Sequence, residues 1–269
     1  MSNLHKYHRF LDEAGDTTFF GKGKAPIMGK DGVSKSFAIG MVKFNEPLNE
    51  VREKIITFQN KIATHPLYKD IPSVKKRVEN GGFYFHAKDD LPELRKDFFD
   101  IINTIDCSIQ IVVARKEITR FVHKHNAKDA EFYADLLSHL IKDKFKKHNR
   151  LVLNIAQRHS STKTNNLNLA LEKAITRFIK KFNGAELQAK VVFNVLQFTQ
   201  EPLLAIPDYL CWAVQRIFER GETRYYDYMI NKISLVVDLY DTEHYKNGEN
   251  YYTIKNQLTA KNEISPHIT

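Results

Sequence analysis

The sequence predicts an α/β fold in which a mixed sheet carries helices on both faces. Two short apolar segments near the start, residues 7–11 and 37–42, have the composition of strands that pair locally as a hairpin. Further along, strand-like segments alternate with amphipathic helical segments, which is the pattern of a sheet that is buried on both sides. The chain of 269 residues is 42% apolar, which is enough for one large core. We expect a single domain over residues 1–269, with its core at about residues 7–235.

The remaining elements follow from apolar spacing and from helix-breaking residues. We expect helices over residues 49–63, from Pro92 onward, over 127–147, over 166–182, and from near Pro207 to Gly221. We expect strands over residues 83–86, 108–114, 151–155 and 189–198. Residues 64–82 contain two prolines and many basic side chains, which predicts a basic, irregular insertion. The polar residues 241–269 predict an irregular C-terminal tail.

Charge and composition narrow the class of partner. The chain has 41 basic and 32 acidic residues, a net charge of +9 and a sequence pI near 9.3. This excess favours nucleic acid or another polyanion as a partner. The sequence has no apolar run of signal-peptide or membrane-span length, so we expect a cytoplasmic protein with no membrane partner. Cys107 and Cys211 lie far apart among apolar residues, which argues against a disulfide framework and a cysteine-based zinc site.

The most informative segment reads Asp12-Glu13-Ala14-Gly15-Asp16, at the end of the first predicted strand. Three carboxylates in a lysine-rich chain are suited to hold a divalent metal against phosphate oxygens. The glycine between them lets the backbone turn sharply. An ordinary acidic turn is the alternative interpretation, because Asp and Gly are common turn residues.

Together with two later segments, this motif resembles the bacterial domain-of-unknown-function 3800 family. That family has an N-terminal strand ending in Asp-Glu-Ser-Gly-Asp, a His-containing segment that leads into a helix, and a late helix that reads roughly Leu-Gln-Ile-Ala-Asp. The matching segments here are Asp12-Glu13-Ala14-Gly15-Asp16, Phe85-His86-Ala87-Lys88-Asp89, and Leu204-Ala205-Ile206-Pro207-Asp208-Tyr209 followed by Trp212-Ala213-Val214. The resemblance extends from residue 7 to about residue 230, and it implies a ribonuclease-H-like sheet.

The resemblance also implies a function, that of a metal-dependent nuclease or phosphoesterase acting on nucleic acid. In such folds the first acid comes from the first strand and the last from the closing helix, which are the positions of Asp12 and Asp208. One or two Mg²⁺ or Mn²⁺ ions would be held there by hard oxygen ligands. Asp16 is the preferred further ligand, because Glu13 directly follows Asp12 on a strand and points to the opposite face. The occurrence of related domains in bacterial and mobile-element genomes suggests a role in phage defence.

The sequence departs from the family pattern at the central strand. Ribonuclease-H-like nucleases usually carry a further acid on or just after this strand, where the chain has Asn154 and Gln157. An amide oxygen can bind a metal but brings no negative charge, so metal affinity should fall. His86, as proton shuttle or weak ligand, and Asp89 would restore part of the set. The alternative is a catalytically degenerate module that binds nucleic acid or a protein partner encoded by a neighbouring gene.

Basic side chains supply candidates for substrate binding. Arg158 follows the central strand, and loops in that position border the crevice of an α/β sheet. Lys22 and Lys24 lie in a flexible glycine-rich segment that can touch a phosphate backbone. No segment has the spacing of a nucleotide-binding P-loop or of a nucleophile elbow, which excludes the corresponding NTPases and hydrolases. His123 and His125 lack the neighbouring acids or cysteines of a zinc site.

Overall fold

A long first strand, β1 (Lys6–Gly15), lies inside a seven-stranded mixed sheet in the computed structural model. The structure describes residues 6–30, 32–145, 150–158, 162–183, 189–244 and 248–265. The other strands are β2 (Ser36–Phe44), β3 (Cys107–Arg115), β4 (Arg150–Ala156), β5 (Lys190–Leu196), β6 (Ile233–Asp238) and β7 (Tyr251–Tyr252). The helices are α1 (Leu48–Thr64), α2 (Pro72–Glu79), α3 (Pro92–Thr104), α4 (Ile118–His125), α5 (Asp129–Ile141), α6 (Thr164–Lys181), α7 (Ala205–Arg220) and α8 (Arg224–Met229).

The strands are ordered β5-β4-β1-β2-β3-β6-β7 across the sheet. The pairs β1–β2, β2–β3 and β6–β7 are antiparallel, whereas β1–β4, β4–β5 and β3–β6 are parallel. The first two strands therefore form the predicted hairpin. The prediction of a mixed sheet in an α/β fold is confirmed.

Alternation along β1 explains why the sheet is covered on both faces. Phe10 and Ala14 are buried with apolar residues of α1, α3 and α7, while Leu11, one position away, is buried with those of α4, α5 and α6. Successive side chains of a strand point to opposite faces, so one strand supplies both cores. The predicted placement of helices on both faces is confirmed.

Two predicted segments differ from the structure. Residues 83–86 form no strand, although buried Phe83 and Phe85 produce the period-two pattern of one. Side chains, and not a neighbouring strand, form hydrogen bonds with the backbone of this segment. Arg77 donates to the Tyr84 carbonyl, and Asp90 accepts from the His86 N–H. The irregular insertion over residues 64–82 is wrong in part, because Pro72 starts the helix α2 there.

The C-terminal third contains elements that the sequence analysis leaves unassigned. Helix α8 and strand β6 precede the tail, and β6 is a short strand that extends the sheet beyond β3. Within residues 241–244 and 248–265, the part of the tail that the structure describes, the regular elements are β7 and a short turn of 3-10 helix. The helix predicted over 127–147 ends at Ile141, and residues 146 and 147 lie outside the described residues.

No helix within the described ranges is long and apolar enough to cross a bilayer. The features that position the candidate site are the carboxyl end of β1, the start of α7, and the segment between α2 and α3.

Candidate active site

The two carboxylates nearly two hundred positions apart, Asp12 and Asp208, line one cleft. Asp12 lies on β1 and pairs with Gly40 on β2, on the side of the sheet against which α7 packs. A Cβ atom at Gly40 would overlap the sulfur of Cys211, so the glycine lets α7 approach the sheet closely. The Cys211 thiol lies 3.5 Å from the Asp12 carbonyl oxygen. This close packing brings the start of α7 to the end of β1.

The environment of this acid pair, Asp12 and Asp208, is unusual for charged groups. Asp12 is 7% exposed and Asp208 is 5% exposed. No lysine or arginine among the described residues lies within ion-pair distance of either carboxylate. Burial first, and the charge of Asp208 second, raise the pKa of Asp12 well above its ordinary value. Burial likewise raises the pKa of Asp208, although His86 and a backbone N–H act in the opposite direction.

A hydrogen-bond network holds Asp208 in position. The Ala87 N–H donates to Asp208 Oδ2 at 2.7 Å. The segment that carries Ala87 is fixed by Asp90, which accepts from Arg77 Nη1 at 2.6 Å, from the His86 N–H at 2.9 Å, and from the Tyr209 hydroxyl. Asp90, Arg77 and Tyr209 are not among the site residues that the sequence predicts. The contacts of these three residues join separate parts of the chain, so the acidic residues directly before Pro92 are the only local signal of this network in the sequence.

His86 and Asp89 lie beside the acid pair. His86 is half-buried and lines the cleft, and its charge lowers the pKa of Asp208. Its Nδ1 lies 3.2 Å from a carboxylate oxygen of Asp89, whose side chain is 61% exposed. The structure thus brings His86 to the predicted place, with Asp89 at the outer edge.

Asp16 and Glu13 each have other partners. The Asp16 carboxylate accepts from Lys116 Nζ at 2.8 Å, from the Thr18 N–H at 2.8 Å, and from the backbone and hydroxyl of Ser34. Burial opposes ionisation, yet these donors lower the pKa of Asp16. Its oxygens are largely occupied, so Asp16 has less capacity for a metal than its place in the motif suggests.

Glu13 points to the opposite face of the sheet, as its position next to Asp12 predicts. It is buried, and its Oε1 lies 3.3 Å from Nη1 of Arg158. Burial raises the pKa of Glu13 while Arg158 opposes the rise. Of the four carboxylates proposed as ligands, Asp12 and Asp208 are the two that have no lysine or arginine partner among the described residues.

Arg158, the predicted phosphate ligand, is engaged with the protein. Besides its ion pair with Glu13, it donates to the Gly15 carbonyl and lies over the Phe37 ring. Residues 159–161 of the loop that follows it lie outside the described residues. Lys22 and Lys24 are exposed on a short 3-10 turn and do not line the cleft.

Other cations border the cleft, which has a volume of about 1060 Å³. Lys30, Lys88 and Arg220 are exposed and line it, around the buried acid pair. The acid pair is therefore buried in the cleft, whereas these three cations lie at its exposed rim. A phosphate group that entered would meet cations before it reached the acids.

The register of β4 shows what stands beside Asp12 on the central strand. Phe10 pairs with Asn154 and Leu11 with Ile155, so the next position, Ala156, lies beside Asp12. The expectation that Asn154 stands at the site is corrected, because its amide is bonded to the Arg9 carbonyl, His8 and Asn194. The second amide, Gln157, does line the cleft.

The acid pair has the donor set of a hard divalent cation, two anionic oxygen ligands in a buried position. Within the described ranges, no group of three or more His, Cys, Asp or Glu side chains is arranged to hold a metal ion. Mg²⁺ is commonly bound through one or two carboxylates, with waters and substrate phosphates as its other ligands, so two acids can suffice. The chain matches no protein-family model, and no curated protein is significantly similar to it.

Proposed function

We propose that this protein is a divalent-metal-dependent nuclease or phosphoesterase that acts on nucleic acid through Asp12 and Asp208. The observation that carries the proposal is the pair of buried carboxylates with no lysine or arginine partner among the described residues, in a cleft with exposed cations at its rim. Buried unpaired carboxylates are costly, and raised pKa values cluster at functional sites. A bound cation would remove the cost.

The residues of the acid pair fit Mg²⁺ or Mn²⁺. A single ion suits two carboxylates better than two ions do, since Ala156 adds no ligand beside Asp12. When bound, such an ion neutralises charge on a phosphate oxygen and favours attack by water. The Ala87 N–H orients Asp208 for this role, and Asp90 in turn fixes the Ala87 segment.

Two further groups of this chain support a hydrolytic role. His86 lines the cleft beside Asp208, where an imidazole can accept a proton from water or donate one to a leaving oxygen. Lys30, Lys88 and Arg220 at the rim supply cations for the phosphate backbone. Both fit a negatively charged substrate that enters from the rim.

We also propose that the sheet is ribonuclease-H-like and that the chain is related to the domain-of-unknown-function 3800 family. The support is the interior position of β1 in the sheet, between antiparallel β2 and parallel β4. Helix α7 packs on β1, so an acid of the first strand adjoins an acid of the closing helix. That is the arrangement that the resemblance implies.

The test is cleavage of labelled single- and double-stranded DNA and RNA with Mg²⁺, Mn²⁺ or chelator. We expect metal-dependent cleavage that Asp12→Asn and Asp208→Asn each reduce by more than about 100-fold, the upper figure for residues that only support a metal ligand. Asp70→Asn, at an exposed carboxylate paired with Lys69, is the matched control and should retain activity. In parallel, Mn²⁺ should raise the melting temperature of the wild type and not that of the acid-pair variants. Cleavage that survives both substitutions would reject the site.

A second candidate is the non-catalytic module. The observation that favours it is the alanine beside Asp12, together with the engagement of Arg158 by Glu13. In the same assay, this protein would bind nucleic acid and show no cleavage under any metal condition. Thermal stabilisation by Mn²⁺ without turnover would support the module as well.

A further inference from the structure

A second cavity of about 830 Å³ adjoins the acid-pair cleft, and we call it the aromatic groove. It shares three lining residues with the cleft, namely Tyr84, Gln157 and Phe198. It continues from them to helix α2 and to the residues after β5. The two cavities therefore adjoin along these three residues, and we call the two together the channel; the acid pair lines the cleft and not the groove.

The shared wall of this channel is aromatic. The rings of Tyr84 and Phe198 stack with their centroids 5.7 Å apart and an interplanar angle of 21°. Both residues are half-buried, so part of each ring faces the channel. Aromatic faces beside a phosphodiester-cleaving site are suited to stack bases.

Amide side chains lie next to the rings. Gln157 and Gln197 are exposed, line the groove, and are joined by a hydrogen bond of 3.2 Å. Amides both donate and accept hydrogen bonds, so they match the Watson–Crick edge of an unpaired base. An apolar ligand could not form hydrogen bonds with these amides.

The far wall of the groove is cationic. Lys76 is exposed on α2, and Arg77 of the same helix is 7% exposed. Arg77 uses Nη1 for Asp90 and for the Tyr84 carbonyl, while its buried Nη2 has no hydrogen-bond partner. The guanidinium lies 5.4 Å from the centroid of the Tyr84 ring. Asp89 also lines the groove, and its carboxylate is near His86.

We propose that the aromatic groove binds single-stranded nucleic acid and guides it to the acid pair. The inference rests on the proposed function, and it names the substrate class of that site. Stacking on Tyr84 and Phe198 needs unpaired bases, which a duplex keeps in its own stack. Lys76 then contacts the backbone of the same strand.

The test is binding of a fluorescent, mixed-sequence single strand to the full chain in chelator, so that cleavage cannot interfere. Lys76→Ala is compared with Lys75→Ala, which removes the same charge from a neighbouring exposed position of α2 outside the groove. We expect Lys76→Ala to weaken binding. The slope of log K against log salt concentration should become shallower by about 0.7, the value for one phosphate contact to a single strand. Lys75→Ala should match the wild type.

A second variant tests the ring. Phe198→Leu keeps an apolar side chain against the core but removes the stacking face. We expect it to weaken single-strand binding by about 5-fold or more, with a smaller effect on the duplex of the same sequence. A melting curve for each variant shows that the fold is kept. Single strands of DNA and of RNA are measured separately, to show which of the two nucleic acids the groove binds.

The outcomes separate this inference from the nuclease proposal. Equal effects of Lys75→Ala and Lys76→Ala on single-strand binding would overturn the proposal that the groove binds single strands. Duplex binding as tight as single-strand binding would overturn it too. Cleavage that requires Asp12 but is indifferent to Lys76 and Phe198 would also overturn it while leaving the nuclease intact. Binding that depends on Lys76 and Phe198, without cleavage under any metal condition, would support the groove and reject the nuclease.

Discussion

Two sites of buried carboxylates, one on each face of the sheet, are held in opposite ways: Asp135 on the α5 face and the acid pair on the α7 face. On the α5 face, Asp135 is 1% exposed and accepts from the Tyr240 hydroxyl at 2.6 Å, from Lys124 Nζ at 2.9 Å, and from Arg177. Burial alone would raise the pKa of Asp135, but these donors hold it well below its ordinary value. On the α7 face, the pKa values of Asp12 and Asp208 are raised.

This difference separates a carboxylate that stabilises the fold from carboxylates that cost stability. A buried charge is tolerated when it is paired and hydrogen-bonded, which describes Asp135. The acid pair destabilises the folded chain, because the metal or substrate that would neutralise the two carboxylates comes from outside the chain. Stability lost at a functional site is common in proteins. The same substitution on the two faces should therefore have opposite effects on stability.

The largest expected effect is on the α5 face. Asp135→Asn leaves Arg177 and Lys124 without their anionic partner, and we expect a loss of about 3 kcal/mol in the free energy of unfolding. Urea denaturation measures it. The control is Asp143→Asn, whose ion pair with Lys181 is exposed and should contribute less than about 1 kcal/mol. A loss no larger than that of the control would show that the Asp135 network does not stabilise the fold.

The next effect tests the packing that creates the acid pair. Gly40→Ala places a methyl group against Cys211 and Ile109, and we expect a loss of about 1–3 kcal/mol in the free energy of unfolding from overpacking. Because Cys211→Ala removes the sulfur that the methyl group meets, the double variant should recover part of this loss. Additive losses in the double variant would contradict the close approach of α7 at this point.

On the α7 face, the expected change in the free energy of unfolding has the opposite sign. Asp12→Asn replaces a buried carboxyl group, whose pKa burial and Asp208 raise well above its ordinary value, by a side chain that cannot ionise, so we expect the free energy of unfolding to increase by about 0.5–2 kcal/mol in metal-free buffer. The measurement is again urea denaturation. In saturating Mn²⁺ the order should reverse, because only the wild type gains binding energy from the ion. A destabilised variant in metal-free buffer would mean that Asp12 has a stabilising partner.

The sequence determined most of the sheet and its helices because these elements have strong apolar periodicity. Strand β2 and helix α3 lie within one or two residues of where the apolar spacing places them. Periodicity misled at Phe83–His86, where alternating burial occurs without a strand. The difference lies in the partners of the backbone groups, since Arg77 and Asp90 replace a neighbouring strand.

The candidate site was predictable only where a motif marks the residue. Asp12 and Asp208 stand in such motifs, and the structure brings them to one cleft. The partners of the other acids were not readable, because Lys116 is 100 residues away from Asp16 and Arg158 follows a different strand from Glu13. The register that puts Ala156 beside Asp12 also depends on strand pairing, which the local sequence does not encode.

The smallest expected effect is a pH dependence on the α5 face. Burial lowers the pKa of His125 to about 4, with Lys124 adding to the fall and Asp135 opposing it. The ordinary value in the unfolded chain is about 6.5. Between these values the unfolded state binds more protons than the folded state, so this contribution to stability is present above pH 6.5 and is lost as the pH falls towards 4.

His125→Gln removes this titration and keeps a side chain that can donate to the Tyr240 hydroxyl, which lies 3.0 Å from His125 Nε2. From pH 6.5 to 5.5 we expect the free energy of unfolding of the wild type to fall by about 0.5–1 kcal/mol more than that of the variant. His123→Gln, at an exposed position on the same helix, is the control and should follow the wild type. If the wild type and His125→Gln instead lost stability in parallel, His125 would be protonated equally in the folded and unfolded chain, and the α5 face would not owe its acid sensitivity to this buried imidazole.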